Sequence, residues 1–109
     1  MTSEKRLEAF QRMVAEKPGE PFARYSLAMA LRSAGRDEEA VREFEELARR
    51  SPDYVPTWLM LGQALESLGR VPDAVRAYQE GAARAVRARD DHAKRELDQA
   101  LDTLRARGT

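Results

Sequence analysis

The chain has 109 residues, with 19 Lys and Arg against 19 Asp and Glu and no Cys. This length suits one domain with a single core and leaves no room for a second catalytic lobe. A formal net charge of zero gives no general attraction to nucleic acid or to anionic membranes, and a chain without Cys has no disulfide, thiolate metal site or thiol redox centre.

The N-terminal stretch from Met1 to Phe10 contains Glu4, Lys5, Arg6 and Glu8, unlike the apolar segment of a secretion signal. The longest apolar run covers only Leu27 to Leu31, far short of the roughly 18 residues that span a bilayer. We therefore expect a cytoplasmic protein that has neither membranes nor nucleic acid among its partners. The excess of Arg over Lys and the abundant Ala favour a bacterial source.

Good helix formers dominate the sequence, and Gly and Pro divide it into segments of helical pattern. Gly35 and Gly69 suit the residue that ends a helix, Pro52 follows a helix, and Pro56 and Pro72 suit the first turn of one. In chain order, these signals predict six helices: Ser3–Lys17, Pro21–Ala34, Asp37–Arg50, Pro56–Leu68, Pro72 to about Ala88, and about Asp91 to Arg107.

The sequence repeats at a fixed offset of 34 residues. About a dozen positions are identical without a gap. The matching pairs include Leu27 and Leu61, Ala30 and Ala64, Leu31 and Leu65, Gly35 and Gly69, Ala40 and Ala74, and Phe44 and the similar Tyr78. Phe10 and Pro18 precede Phe44 and Pro52 by the same 34 residues, so the chain begins in the middle of a unit.

A single domain over residues 1–109 therefore divides into four parts. We predict a half repeat at 3–19, a first unit at 21–54, a second unit at 55–88 and a capping helix at 90–107. Small residues on the apolar faces, among them Ala28, Ala40, Gly62 and Gly81, predict helices that approach closely, with Leu and aromatic side chains filling the spaces between them.

A 34-residue helix-turn-helix period is typical of tetratricopeptide repeats. The second unit resembles that family closely, with Trp58, Leu61-Gly62, Leu65, Ala74 and Tyr78 at the family's positions. The first unit is similar but has Arg24 in place of Trp58. The resemblance implies an all-α fold, a right-handed superhelical stack of antiparallel helix pairs closed by a C-terminal capping helix. It also implies a non-enzymatic module that binds a protein or peptide.

The resemblance further implies that the first helices of successive units line a concave groove. Tyr25, Met29 and Arg32 are spaced i, i+4 and i+7, as are Leu59, Gln63 and Glu66, so each set forms one stripe on its helix. We expect apolar anchors and polar selectors for a partner segment in this groove. The candidate residues are Phe22, Tyr25, Met29, Arg32, Leu59, Met60, Gln63 and Glu66.

Two alternatives to an open groove remain. The last helix could pack across this surface and fill it, or a second copy of the chain could cover it in a homodimer. Because Tyr25, Met29 and Met60 take positions where some family members carry basic and amide side chains that grip a C-terminal carboxylate, we expect an apolar or amphipathic partner segment instead.

Nothing in the sequence suggests a catalytic centre, a metal site or a cofactor. His92 is the only His and has no second His or Cys to complete a zinc site, so we interpret it as a residue of a helix start. No Gly-rich phosphate loop ending in Lys-Ser or Lys-Thr is present. The basic cluster around Arg84 to Arg95 is interleaved with acidic residues, which favours a solvated surface over a nucleic-acid site.

Overall fold

The computed structural model describes residues 2–108, so Met1 and Thr109 of the predicted 1–109 domain lie outside the described residues. Six α-helices and no strand make up this range, which confirms the all-α fold. The helices are α1 (Ser3–Glu16), α2 (Pro21–Ser33), α3 (Asp37–Arg50), α4 (Pro56–Ser67), α5 (Val71–Arg87) and α6 (Asp91–Arg107).

Three of the described helices, α2, α4 and α5, end where a residue with positive φ reverses the chain. Gly35 after α2 has a φ of 77°, and Gly69 after α4 has a φ of 74°. The third such residue is Arg89 after α5, with a φ of 56°. At all three ends an amide hydrogen bond runs back to the last turn, for example from Asp90 N to Ala85 O at 2.9 Å. Arg89 therefore adopts a conformation that usually belongs to Gly.

Each helix packs against the next along the chain, and alternate helices also meet: α4 contacts α2 on one side and α6 on the other. Among residues 2–108, α6 makes no contact with α2. The last helix therefore does not lie across α2 and meets this surface on the side of α4, where Arg107 bonds to Glu66. α6 continues the row that α2 and α4 begin, since its buried face is already used against α5.

The close approach of α4 and α5 depends on glycine. A Cβ atom placed on Gly62 would lie 2.1 Å from Cε1 of Tyr78, and one on Gly81 would lie 2.4 Å from Cβ of Trp58. Tyr78 is fully buried, and so are its counterpart Phe44 and the repeated Ala pair at 40 and 74. Small residues thus let the two backbones meet while the aromatic rings fill the core.

Trp58 lies at the junction of the two units. Its ring is half-buried beside Gly81, and its indole Nε1 donates a hydrogen bond to the carbonyl oxygen of Pro52 at 2.9 Å. The bond joins the end of the first unit to the first helix of the second.

Sequence similarity places α6 in the same register as α4, at an offset of 36 rather than 34. The segment Leu97 to Thr103 reads LDQALDT, and Leu61 to Ser67 reads LGQALES. Leu97 and Leu101 are buried like Leu61 and Leu65. On α6, Asp98 takes the position of Gly62 and pairs with Lys94 at 2.5 Å. Polar groups therefore cover the face of α6 that corresponds to the face of α4 packed against α5.

Candidate functional site

The apolar residues predicted on α2 lie in one depression together with α1. Phe22, Tyr25 and Met29 line it, and Arg6 and Phe10 of α1 form the opposite wall. The phenyl ring of Phe22 is 60% exposed, which is unusual for so large an apolar side chain. This end of the predicted groove is therefore shared with a helix that sequence reasoning did not include.

Tyr25 serves the core as well as the depression. Its ring meets Phe44 edge to face at a centroid distance of 6.1 Å and Tyr54 at 5.8 Å, geometries that stabilise aromatic pairs. Burial raises the pKa of the Tyr25 phenol, and the neighbouring Tyr54 raises it further. Truncating Tyr25 would consequently disturb the fold, so Phe22 is the better residue with which to probe this surface.

The polar residues predicted on α2 and α4 are paired with each other across the helices. Nη1 of Arg32 donates a hydrogen bond to Oε1 of Gln63 at 2.9 Å. Both residues line a second depression with Glu66, Ser67 and Arg107. Because both side chains are half-buried, this pair presents fixed polar groups rather than mobile ones.

Glu66 links three helices through its two carboxylate oxygens. Oε2 accepts a hydrogen bond from the Tyr78 hydroxyl, and Oε1 accepts one from Arg107 at the end of α6. Burial raises the pKa of the Tyr78 phenol well above its usual value, and the hydrogen bond to Glu66 and the charge of that carboxylate raise it further. Glu66 thus stabilises the arrangement of α4, α5 and α6.

A third depression lies between α4 and α6. Leu59 and Gln63 line it from α4, and Glu96, Gln99 and Ala100 line it from α6. The remaining predicted residue, Met60, is half-buried against the core and lines none of these depressions. We call the surface of the second and third depressions, together with Phe22, Tyr25 and Met29, the groove face.

Sequence reasoning missed the contribution of α6 to the groove face. The similarity of Leu97 to Thr103 with α4 would have revealed it, because Gln99 repeats Gln63 in that alignment. The two-residue insertion before α6 hides the match from a search at an offset of 34.

The other residues considered in the sequence lie at the surface. His92 is the second residue of α6 and contacts Glu96 at 3.2 Å. In the basic cluster, Arg84 pairs with Asp53 at 3.0 Å and Lys94 with Asp98. Within the described part of the chain, no group of three potential ligands is placed to hold a metal ion, and no helix is long and apolar enough to cross a membrane.

Comparisons with known proteins agree with this architecture. A sequence model of the tetratricopeptide repeat matches residues 21–64. The crystal structure of a tetratricopeptide repeat domain protein from Salinibacter ruber is 33% identical, with a TM-score of 0.76. That match covers 80% of this chain and 97% of the Salinibacter chain. The chain belongs to the tetratricopeptide repeat family. A search of curated proteins found no significant match.

Two more distant structures share the fold. PcrH in complex with the chaperone binding region of PopD is 15% identical and has a TM-score of 0.90, with 98% of this chain and 81% of PcrH covered. The TPR2B domain of yeast Sti1 in complex with pHsp70 is 16% identical, with a TM-score of 0.86 over 93% of this chain and 81% of that domain. Tetratricopeptide repeat domains are typically non-catalytic protein-interaction scaffolds.

Proposed function

We propose that the groove face binds a peptide or a helix of a partner protein. The observation that carries the proposal is the row formed by α2, α4 and α6, whose outward side offers apolar walls at the α2 end and paired polar groups at its centre. The related folds of PcrH and the Sti1 domain were solved in complex with other proteins or parts of them, which supports the binding of a partner by this fold.

The chemistry of the groove face favours an amphipathic segment. The exposed ring of Phe22 and the half-buried Met29 and Leu59 would gain about 25 cal/mol per Å2 of apolar area buried. Arg32 and Gln63 are already hydrogen-bonded to each other. Little conformational entropy would therefore be lost when a partner binds these two side chains. The partner's polar side would therefore lie over the centre of the row.

Matched substitutions on two helices test the proposal. Gln99→Arg places a long cation in the depression between α4 and α6, whereas Gln79→Arg makes the same change at an exposed position of α5 outside these depressions. A partner found by affinity capture is titrated into labelled protein, and amide shifts are followed by NMR. We expect perturbed amides along α2, α4 and α6 and affinity lost in the α6 variant alone. Equal affinity of the two variants for the partner would show that the binding site lies outside the groove face.

Homodimerisation remains the second prediction. Light scattering over a range of concentrations measures it directly, since a second copy on the groove face would raise the molar mass with concentration. A dimer that Gln99→Arg dissociates would assign the groove face to self-association instead of to a foreign partner.

A further inference from the structure

Arg32 carries a charge that no carboxylate in the described part of the chain neutralises. The side chain is half-buried in the second depression of the groove face, and its hydrogen bond runs from Nη1 to the neutral amide oxygen of Gln63. The Nε and Nη2 groups have no bonded partner among residues 2–108 and are not sealed from solvent. A guanidinium has five N–H donors, so the Arg32 side chain is held in place with most of its donors unused.

Glu66 lines the same depression but is already bonded to other helices. One carboxylate oxygen accepts a hydrogen bond from Tyr78 and the other accepts one from Arg107, and the Glu66 side chain is only 20% exposed. The charge of Arg107 offsets that of Glu66, and the remaining lining residues are neutral. The depression therefore keeps one net positive charge, that of Arg32. With a volume of about 330 Å3, it has room for an acidic side chain.

The repeat shows that this cation is particular to the first unit. At the offset of 34, Arg32 corresponds to Glu66, and at the offset of 36, Glu66 corresponds to the exposed Asp102. The same position therefore has a cation on α2 and a carboxylate on α4 and on α6. Electrostatic complementarity sets the register of a bound segment, so an acidic partner group is expected at the α2 end of the row.

We propose that the groove face recognises an acidic side chain of its partner, whose carboxylate binds the guanidinium of Arg32. This inference rests on the proposed function, because it names the partner group that the second depression holds. Gln63 accepts from Nη1 alone, so the edge formed by Nε and Nη2 offers two parallel donors. A bidentate bond from these donors to a carboxylate is stronger than a hydrogen bond to a neutral amide.

The position of Arg32 relative to the apolar residues of the groove face predicts the spacing in the partner. Met29 and Phe22 precede Arg32 by three and ten residues on α2. At about 1.5 Å per residue, they lie roughly 5 and 15 Å from it along the helix axis. An extended chain advances about 3.3 Å per residue. In an extended partner segment, the acidic residue therefore lies about two to five positions from a large apolar residue.

Selection from a peptide library tests this sequence preference. A phage library of random dodecapeptides is selected on the intact chain, and the enriched peptides are synthesised with a fluorescein label. We expect them to share an Asp or Glu about two to five positions from a large apolar residue. In anisotropy titrations, replacing that acidic residue by Asn or Gln should weaken binding at least about tenfold, because a charge-assisted hydrogen bond is lost.

Variants of the chain show whether Arg32 is the residue that binds the carboxylate. The acidic peptide and its amide variant should bind equally to Arg32→Gln, which lacks the charge. Gln63→Glu supplies a carboxylate to Arg32 within the chain and should weaken the acidic peptide about as much as Arg32→Gln does. Gln79→Glu makes the same change at an exposed position of α5 and should leave the affinity unaltered. Circular dichroism checks that each variant is folded.

The results separate this inference from the proposed function. The inference fails, and the proposed function stands, if enriched peptides lose affinity for Gln99→Arg but show no acidic preference or no dependence on Arg32. Both fail if no peptide is enriched, or if Gln99→Arg and Arg32→Gln bind the peptides as wild type does. A dimer seen by light scattering that Arg32→Gln dissociates would also overturn the inference, because a second copy would then supply the carboxylate.

Discussion

Gly62→Ala gives the sharpest test of the packing between α4 and α5. The added Cβ would lie 2.1 Å from Cε1 of Tyr78 and 2.6 Å from both Cδ1 and Cζ of the ring. The ring has no free volume to move into, because Tyr78 is fully buried and its hydroxyl is bonded to Glu66.

One favourable and two unfavourable terms set the size of the effect. Ala is a better helix former than Gly by about 1 kcal/mol. Overpacking a filled core costs about 1–3 kcal/mol, and a weakened hydrogen bond to a charged group costs about 1.5–3 kcal/mol more. We expect the free energy of unfolding to fall by about 1.5–5 kcal/mol in total.

Urea denaturation followed by circular dichroism at 222 nm measures this difference, with an unchanged slope required for the comparison. Gly19→Ala is the matched control, because a Cβ there has nothing within 4 Å. A double variant with Tyr78→Leu should recover part of the loss, since the smaller side chain leaves room for the methyl group. Stability of Gly62→Ala equal to the control would refute the packing argument and show that α4 and α5 can move apart.

Three other predictions concern stability. Arg89→Gly should raise the free energy of unfolding by about 0.5–1 kcal/mol, because Gly adopts the positive φ without strain; a lower thermal midpoint would contradict this. Ala40→Leu should lower the free energy of unfolding by about 1–3 kcal/mol, because it overpacks a fully buried position. Urea titrations that show no loss of stability would disprove the close packing around Ala40. Hydrogen bonds from Arg49 and Arg50 lower the pKa of the Glu46 carboxyl from 4.5 to about 2. The stability that this pairing provides is complete above pH 4.5 and is lost as the pH falls toward 2. Wild type and Glu46→Gln should therefore differ in urea midpoint at neutral pH and converge near pH 2, and a gap that persists in acid would exclude this cause.

The helix bounds could be predicted to within about one residue because most ends carry a chemical signal of their own. Gly35 and Gly69 end α2 and α4, and proline occupies the first or second position of α2, α4 and α5. The α5 end lacks such a signal, since Arg89 takes the place of a Gly. There Asp90, the acidic residue before α6, indicates the boundary instead. The Asp90 side chain accepts a hydrogen bond from the backbone amide of Ala93.

The candidate site was only partly predictable. Spacing on one helix identified the stripes of α2 and α4, but the pairing of Arg32 with Gln63 joins residues 31 positions apart and depends on how the helices pack. Residues that look like free selectors in a sequence can therefore be paired in the fold. Arg6 and Phe10 were missed for a similar reason, because their place beside Phe22 and Tyr25 depends on how α1 packs against α2.

Trp58 gives this repeat protein a built-in optical reporter. The chain has a single tryptophan, and its indole is bonded to the carbonyl oxygen of Pro52 where one unit meets the next. Repeat arrays can lose cooperativity because each unit contacts only its neighbours. Trp58 fluorescence reports only on the junction of the first and second units. The circular dichroism signal averages over all six described helices. A difference between the two transitions would thus show whether the ends of the array melt before its middle.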